Sequence, residues 1–143
     1  MTVKPETRLW KNLKKCLNDG EGYVVSRLES YVTPGFPDCV IFHNVTGFFT
    51  LELKIVQPNN KVKFSVFQRA WNMIHYIHGA PVYILVGGLK DNKVKLFSGE
   101  SIEALGQKTM DLVPGLYEGR LEDMDLVKLL NSQTPPSLCI TCG

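Results

Sequence analysis

The chain has 143 residues, 44% of them hydrophobic, which suits one compact domain with a sizeable core. No apolar stretch approaches the ~20 residues of a membrane span, and the N-terminal Met-Thr-Val-Lys-Pro-Glu-Thr-Arg lacks the apolar region of a signal peptide. A cytoplasmic protein with no membrane partner is therefore expected. The formal net charge of +2 hides a division: residues 1–100 carry 13 Lys/Arg against 8 Asp/Glu, and residues 101–143 carry 3 against 6.

In chain order, Leu9, Trp10, Leu13 and Leu17 recur at helical spacing. They predict a helix from residue 5 to about residue 18, with Pro5 in its first turn and Asp19-Gly20 ending it. Glu6 lies three and four residues before Leu9 and Trp10, so it shares their inward-facing stripe. An unpaired carboxylate there is costly to bury. Glu6 is either a site acid or a first-turn acid favoured by the helix dipole. Residues 23–28 read as a strand. Residues 31–37 hold Pro34, Gly35 and Pro37 and must be irregular, because proline removes donors and fixes the backbone.

Two strand-like segments follow. The first runs from Asp38 through Cys39-Val40-Ile41-Phe42, and the second is Phe48-Phe49-Thr50-Leu51-Glu52-Leu53-Lys54-Ile55-Val56, after a turn near Asn44 and Gly47. Side chains alternate faces along a strand, so Glu52 and Lys54 point one way and Leu51, Leu53 and Ile55 the other. Pairing of the two segments puts Asp38 next to Glu52. Two carboxylates that close repel unless a cation lies between them, and an adjacent ammonium can hold or activate a water. That outlines a metal-dependent hydrolase site. The plain alternatives are a turn aspartate and a solvated surface pair.

Residues 57–63 read as a polar loop. Over residues 65–78, Phe64, Phe67, Trp71, Ile74 and His78 mark an amphipathic helix closed by Gly79. Gln68 sits on the shoulder of that apolar face, as a site group or a boundary residue. Residues 81–86 form a buried strand, and residues 93–97 pair with it through a turn at Asp91-Asn92. A helix over residues 122–130 and a Pro135-Pro136 terminator complete the reading. Cys16 and Cys39 look like small core residues. Cys139-x-x-Cys142 lacks the further ligands that zinc needs and reads as a loose tail.

Together these residues resemble the PD-(D/E)XK nuclease superfamily, especially the small free-standing phage members of its VRR-Nuc branch. The matching pieces are a first helix with Glu6, Gly35-Phe36-Pro37-Asp38 leading into a strand, Glu52-Leu53-Lys54, and a helix bearing Ser65 and Gln68. The same Glu, Asp, Glu-x-Lys order is similar to that of archaeal Holliday-junction resolvases. The resemblance spans roughly residues 5–87. It implies an α/β fold with a restriction-endonuclease-like core: a central mixed β-sheet flanked by helices in αβββαβ order. Residues 1–100 would be that core and residues 101–143 an extension packed on or beside it.

The resemblance also implies roles. Asp38 and Glu52, with the Leu53 carbonyl, would bind Mg²⁺ or Mn²⁺, hard cations that prefer oxygen ligands. Glu6 would complete the acidic cluster directly or through water. Lys54 would position or help deprotonate the attacking water, and Gln68 would orient Lys54, the water or a phosphate oxygen. The expected products are a 5′-phosphate and a 3′-hydroxyl. Lys14, Lys15, Arg27, Lys61, Lys63 and Arg69 are candidate phosphate contacts, and Ser30 and Tyr31 candidate backbone contacts near the scissile bond. No sequence-reading module is evident. The expectation is a homodimeric endonuclease specific for branched DNA, of the Holliday-junction-resolving kind. The alternatives are a nicking or restriction-type nuclease on ordinary duplex and a non-catalytic nucleic-acid-binding module that kept the fold.

Overall fold

A computed structural model describes residues 3–18, 22–28 and 34–132. Its centre is one six-stranded mixed sheet in the order β1-β2-β3-β4-β5-β6: β1 Tyr23–Arg27, β2 Cys39–His43, β3 Gly47–Ile55, β4 Val82–Gly87, β5 Val94–Ser98 and β6 Tyr117–Gly119. Only the β3–β4 pair is parallel; the other four pairs are antiparallel. Two meanders are thus joined through one crossover, and a parallel crossover needs a long connection. The helix α2 (Val66–Ile77) supplies it. β4, central and buried along its whole length, reads as the uninterrupted apolar run expected of such a strand.

Each sheet face carries its own core. On one, α1 (Pro5–Asn18) buries Leu9, Trp10, Leu13 and Leu17 against Ile41, Leu51, Leu53 and Leu85. Each fully buried leucine there contributes about 1.5–3 kcal/mol. On the other face, Ile84, Val86 and Phe97 pack with Val62, Met110 and the helix α3 (Ile102–Gln107). Because Leu51 and Leu53 turn toward α1, Thr50, Glu52 and Lys54 turn toward the second face, the side of α2.

Three expectations are corrected. The helix expected over residues 122–130 is a 3-10 turn at Leu121–Asp123 followed by α4 (Leu126–Asn131). Asp125 restarts the chain as an N-cap, accepting from the Lys128 N–H at 3.2 Å. The apolar stripe assigned to α2 does not face the sheet: Phe67 is 59% and Ile74 53% exposed, whereas Asn72 is fully buried. Glu6 is exposed and not on the buried side of α1. It lies in the first turn, where the helix reaches the rim of the sheet. Leu9, the next residue on that stripe, packs against Gly87.

Residues beyond 100 belong to the same body. α3 enters the second core, β6 extends the sheet, and α4 enters the first core. The buried Lys95 on β5 ties them in, donating to the Met110 carbonyl at 3.1 Å and pairing with Glu118 at 3.4 Å. No helix among the described residues is long and apolar enough to cross a membrane. Asp19-Gly20, Ser30, Tyr31, Pro135-Pro136, Cys139 and Cys142 lie outside the described residues.

Candidate active site

The site forms where β2 begins alongside β3. Cys39 pairs with Leu51, and one further step in that antiparallel register sets Asp38 opposite Glu52. Asp38 also serves as the structural end of the pairing. Its Oδ2 accepts the Leu53 N–H at 2.7 Å, and its carbonyl accepts the Leu28 N–H at 2.7 Å. The carboxylate therefore replaces the backbone partner that β2 no longer offers. A strand residue presents its N–H and C=O to the same side, so the Leu53 carbonyl also faces the Asp38 side.

Glu52 is fully buried, and neither carboxyl oxygen has a well-formed hydrogen bond, although the Asp38 carboxylate and backbone N–H lie close to it. Burial pushes its carboxyl far above the usual range, the Asp38 carboxylate pushes it further, and the Lys54 ammonium partly offsets both. A lone buried acid with orphaned oxygens is destabilising unless a proton or a cation neutralises it. The neighbouring Cys39 thiol, held up at about 12 by burial and then by Asp38 and Glu52, is no nucleophile at neutral pH.

Lys54, on the same face as Glu52, donates to Gln68 Oε1 at 2.9 Å, and its Nζ lies 5.3 Å from the centre of the Phe64 ring. Gln68 is held in turn by the start of α2. Its Oε1 also accepts the Ser65 N–H at 2.9 Å, and its N–H donates to Ser65 Oγ at 3.0 Å, forming a capping box. Both partners of Oε1 are donors, which fixes the orientation of the amide. Gly35, at φ +83, brings the turn before Asp38 against α2; a side chain there would collide with the Phe67 carbonyl. Phe36 and Trp71 continue that contact with ring centres 5.4 Å apart.

Asp38, Glu52, Leu53, Lys54 and Gln68 are thus brought together. Glu6 is not brought into this group: it is exposed in the first turn of α1, which packs on the sheet face opposite Glu52 and Lys54. Among the described residues no three His, Cys, Asp or Glu side chains gather as a metal cluster. Sequence reasoning missed Asn72, one turn beyond Gln68. It is fully buried, donates to the Gln68 carbonyl at 2.8 Å and leaves Oδ1 unpartnered. The signal was available as an asparagine at the i+4 position, but the misassigned apolar face of α2 hid it.

The candidate phosphate contacts separate into groups. Lys14 and Lys15 are exposed on α1, and Arg27 lies 5.6 Å from the centre of the Trp10 ring. Lys61, Lys63 and Arg69 instead converge on one open cleft of about 470 Å³, bounded by Phe64. Compared with known proteins, the chain matches no family model and no curated protein, so the functional reading rests on this geometry.

Proposed function

We propose that the protein is a metal-dependent, structure-specific DNA endonuclease, a homodimer of the kind that resolves four-way junctions. One observation carries the reading: a fully buried Glu52 with two orphaned oxygens beside Asp38, on the same strand face as a lysine held by Gln68. A structural strand gains nothing from that set. A hard divalent cation fits it, because Glu52, the free oxygen of Asp38 and the Leu53 carbonyl are all oxygen donors, and Mg²⁺ needs only one or two carboxylates beside its waters. When bound, such an ion supplies Lewis-acid polarisation of a phosphate and a more acidic water.

The remaining chemistry belongs to the chain. Lys54 faces the carboxylates, where its ammonium positions the attacking water and offsets charge on the scissile phosphate. Gln68 fixes that ammonium and offers its amide nitrogen to a water or a phosphate oxygen. Glu6, exposed in the first turn of α1, would take part only through water. The water oxygen bonds to phosphorus as the bond to the 3′ oxygen breaks, leaving a 5′-phosphate and a 3′-hydroxyl.

Specificity for DNA shape is supported by the basic side chains around the site, which suit phosphates rather than base edges. The dimer is supported by α2, whose outer stripe of Val66, Phe67, Ala70, Ile74 and Ile77 is exposed and uncharged. A twofold axis sets such a stripe against itself and brings two sites onto one symmetric substrate. Incubation with junction, flap and linear duplex DNA in Mg²⁺ tests the whole reading. The junction should be cut fastest, and Asp38→Asn and Lys54→Ala should each lose roughly 10²-fold or more. Wild-type rates from either variant end the assignment. Preference for linear duplex favours a nicking or restriction-type enzyme, and metal-independent binding without cleavage favours a non-catalytic module.

A further inference from the structure

The cleft lined by Lys61, Lys63 and Arg69 has a built character that ordinary surface lysines lack. Its wall, residues 57–64, is a closed loop. Gln57 N–H donates to the Lys61 carbonyl at 2.8 Å, and Asn60 N–H to the Gln57 carbonyl at 2.8 Å. Asn60 takes φ +61, and its carbonyl accepts the Met110 N–H at 2.8 Å while its amide holds Asp111 at 2.9 Å. Val62 is buried in the second core as the anchor of the loop. Lys61 and Lys63 flank that anchor and line the cleft, and Arg69 reaches it from the first turns of α2.

Three cations thus converge with no acid in the lining, and none of them forms an ion pair among the described residues. Holding three like charges together costs self-repulsion that a purely structural loop has no reason to carry. The cleft is also next to the catalytic centre. Phe64 is a wall of the cleft and lies against Lys54, and Arg69 directly follows Gln68. Gly106 on α3 forms the far side, and a Cβ there would meet Arg69 Cδ at 4.0 Å, an ordinary van der Waals contact.

We infer that this cleft is a preformed backbone-binding subsite for the cleaved strand, holding the non-scissile phosphates next to the scissile one. The inference rests on the nuclease reading for what occupies Lys54, but its own content is the location and chemistry of the binding. It assigns strand affinity to Lys61, Lys63 and Arg69 and leaves Lys14 and Lys15 a lesser part. Phosphate contacts of this kind position a strand without reading its sequence.

The test uses the full chain carrying Asp38→Asn, so that bound DNA is not cut, and fluorescence anisotropy with a labelled junction over a range of salt. Replacing Lys61, Lys63 and Arg69 by Gln should weaken binding at least about tenfold and reduce the slope of log K against log salt by about 2–3. Replacing Lys4, Lys90 and Lys128 by Gln removes the same charge elsewhere and should change the slope by less than 1. Gly106→Asp keeps every cation but puts a carboxylate at the cleft, and should weaken binding by an amount comparable to losing one cation. Thermal melting checks that each variant folds.

Equal loss from both triple variants, or no loss from the cleft triple, overturns the inference. So does displacement of the DNA by inorganic phosphate far beyond the effect of chloride at equal ionic strength, which would mark a free-anion pocket. If the wild type binds through the cleft but never cleaves, the nuclease reading fails and the subsite stands. If the wild type cleaves and the cleft triple binds normally, the reverse holds.

Discussion

At the scale of single residues, the distinguishing group is Glu52. In the unfolded chain its carboxyl loses a proton near 4.5, whereas in the metal-free fold burial and Asp38 keep it protonated far higher. Between those two values the folded state binds more protons, so stability is greatest at low pH and falls as pH rises through the window. The slope reaches at most about 1.4 kcal/mol per pH unit for this one proton. Melting in a chelator from pH 5 to pH 9 should show the decline, and Glu52→Gln should remove most of it while abolishing cleavage. Added Mg²⁺ should raise the wild-type melting temperature most at high pH and leave Glu52→Gln nearly unmoved. Asp38 behaves differently, because its carboxylate also receives the Leu53 N–H. Asparagine keeps an acceptor, so Asp38→Asn should melt close to wild type, while Asp38→Ala orphans a backbone donor and should cost about 1–3 kcal/mol. Asp38, Glu52 and Lys54 were legible in the sequence because strand alternation fixes their common face. Asn72 was not, since its burial depends on which side of α2 meets the sheet.

At the scale of elements, α2 does two things with its first turn: it caps itself and it holds Lys54. Ser65→Ala should therefore cost about 1 kcal/mol of stability. It should also lower kcat more than it weakens DNA binding, because the turn that carries Gln68 loses the Oγ acceptor of its N–H, although the bond from the residue 65 N–H to Oε1 remains. Threonine at position 65 should restore both. The strands β1 to β5, α1 and α2 were visible from periodicity and turn residues to within a residue or two. β6 and α3 were not: a three-residue strand and a six-residue helix have too few positions to establish a period. The inward face of α2 was misread for a sharper reason. Its most hydrophobic stripe is not the one this chain buries, and periodicity reports only the stripe.

At the scale of the whole molecule, that exposed stripe is where the proposed dimer would form. Phe67→Glu combined with Ile74→Glu touches nothing in either core, so melting should be nearly unchanged. Sedimentation should shift from dimer to monomer, and junction cutting should fall more than single-strand nicking. A wild type that sediments as a monomer at micromolar concentration would remove the dimer. The sheet itself divides the labour. The α1 face carries an uninterrupted apolar core, while the α2 face admits Thr50, Glu52 and Lys54 among apolar neighbours. Both sides contribute stability, and the proposed chemistry lies on one of them only. Substitutions of core residues on either face should therefore act through folding, and that of Lys54 through turnover.

The contact of Gly35 with α2 bears on which residues can diagnose activity at all. Position 35 admits no side chain for a mechanical reason, since the turn and the first coil of α2 share the same space. A descendant of this protein that had abandoned hydrolysis would still have to keep that glycine to fold. It would be free to lose Lys54 and Glu52, whose burial it would be better without, and Asp38 could become asparagine and still accept the Leu53 N–H. A search for relatives that share the proposed activity should weigh those three charges and disregard the glycine, however faithfully it recurs.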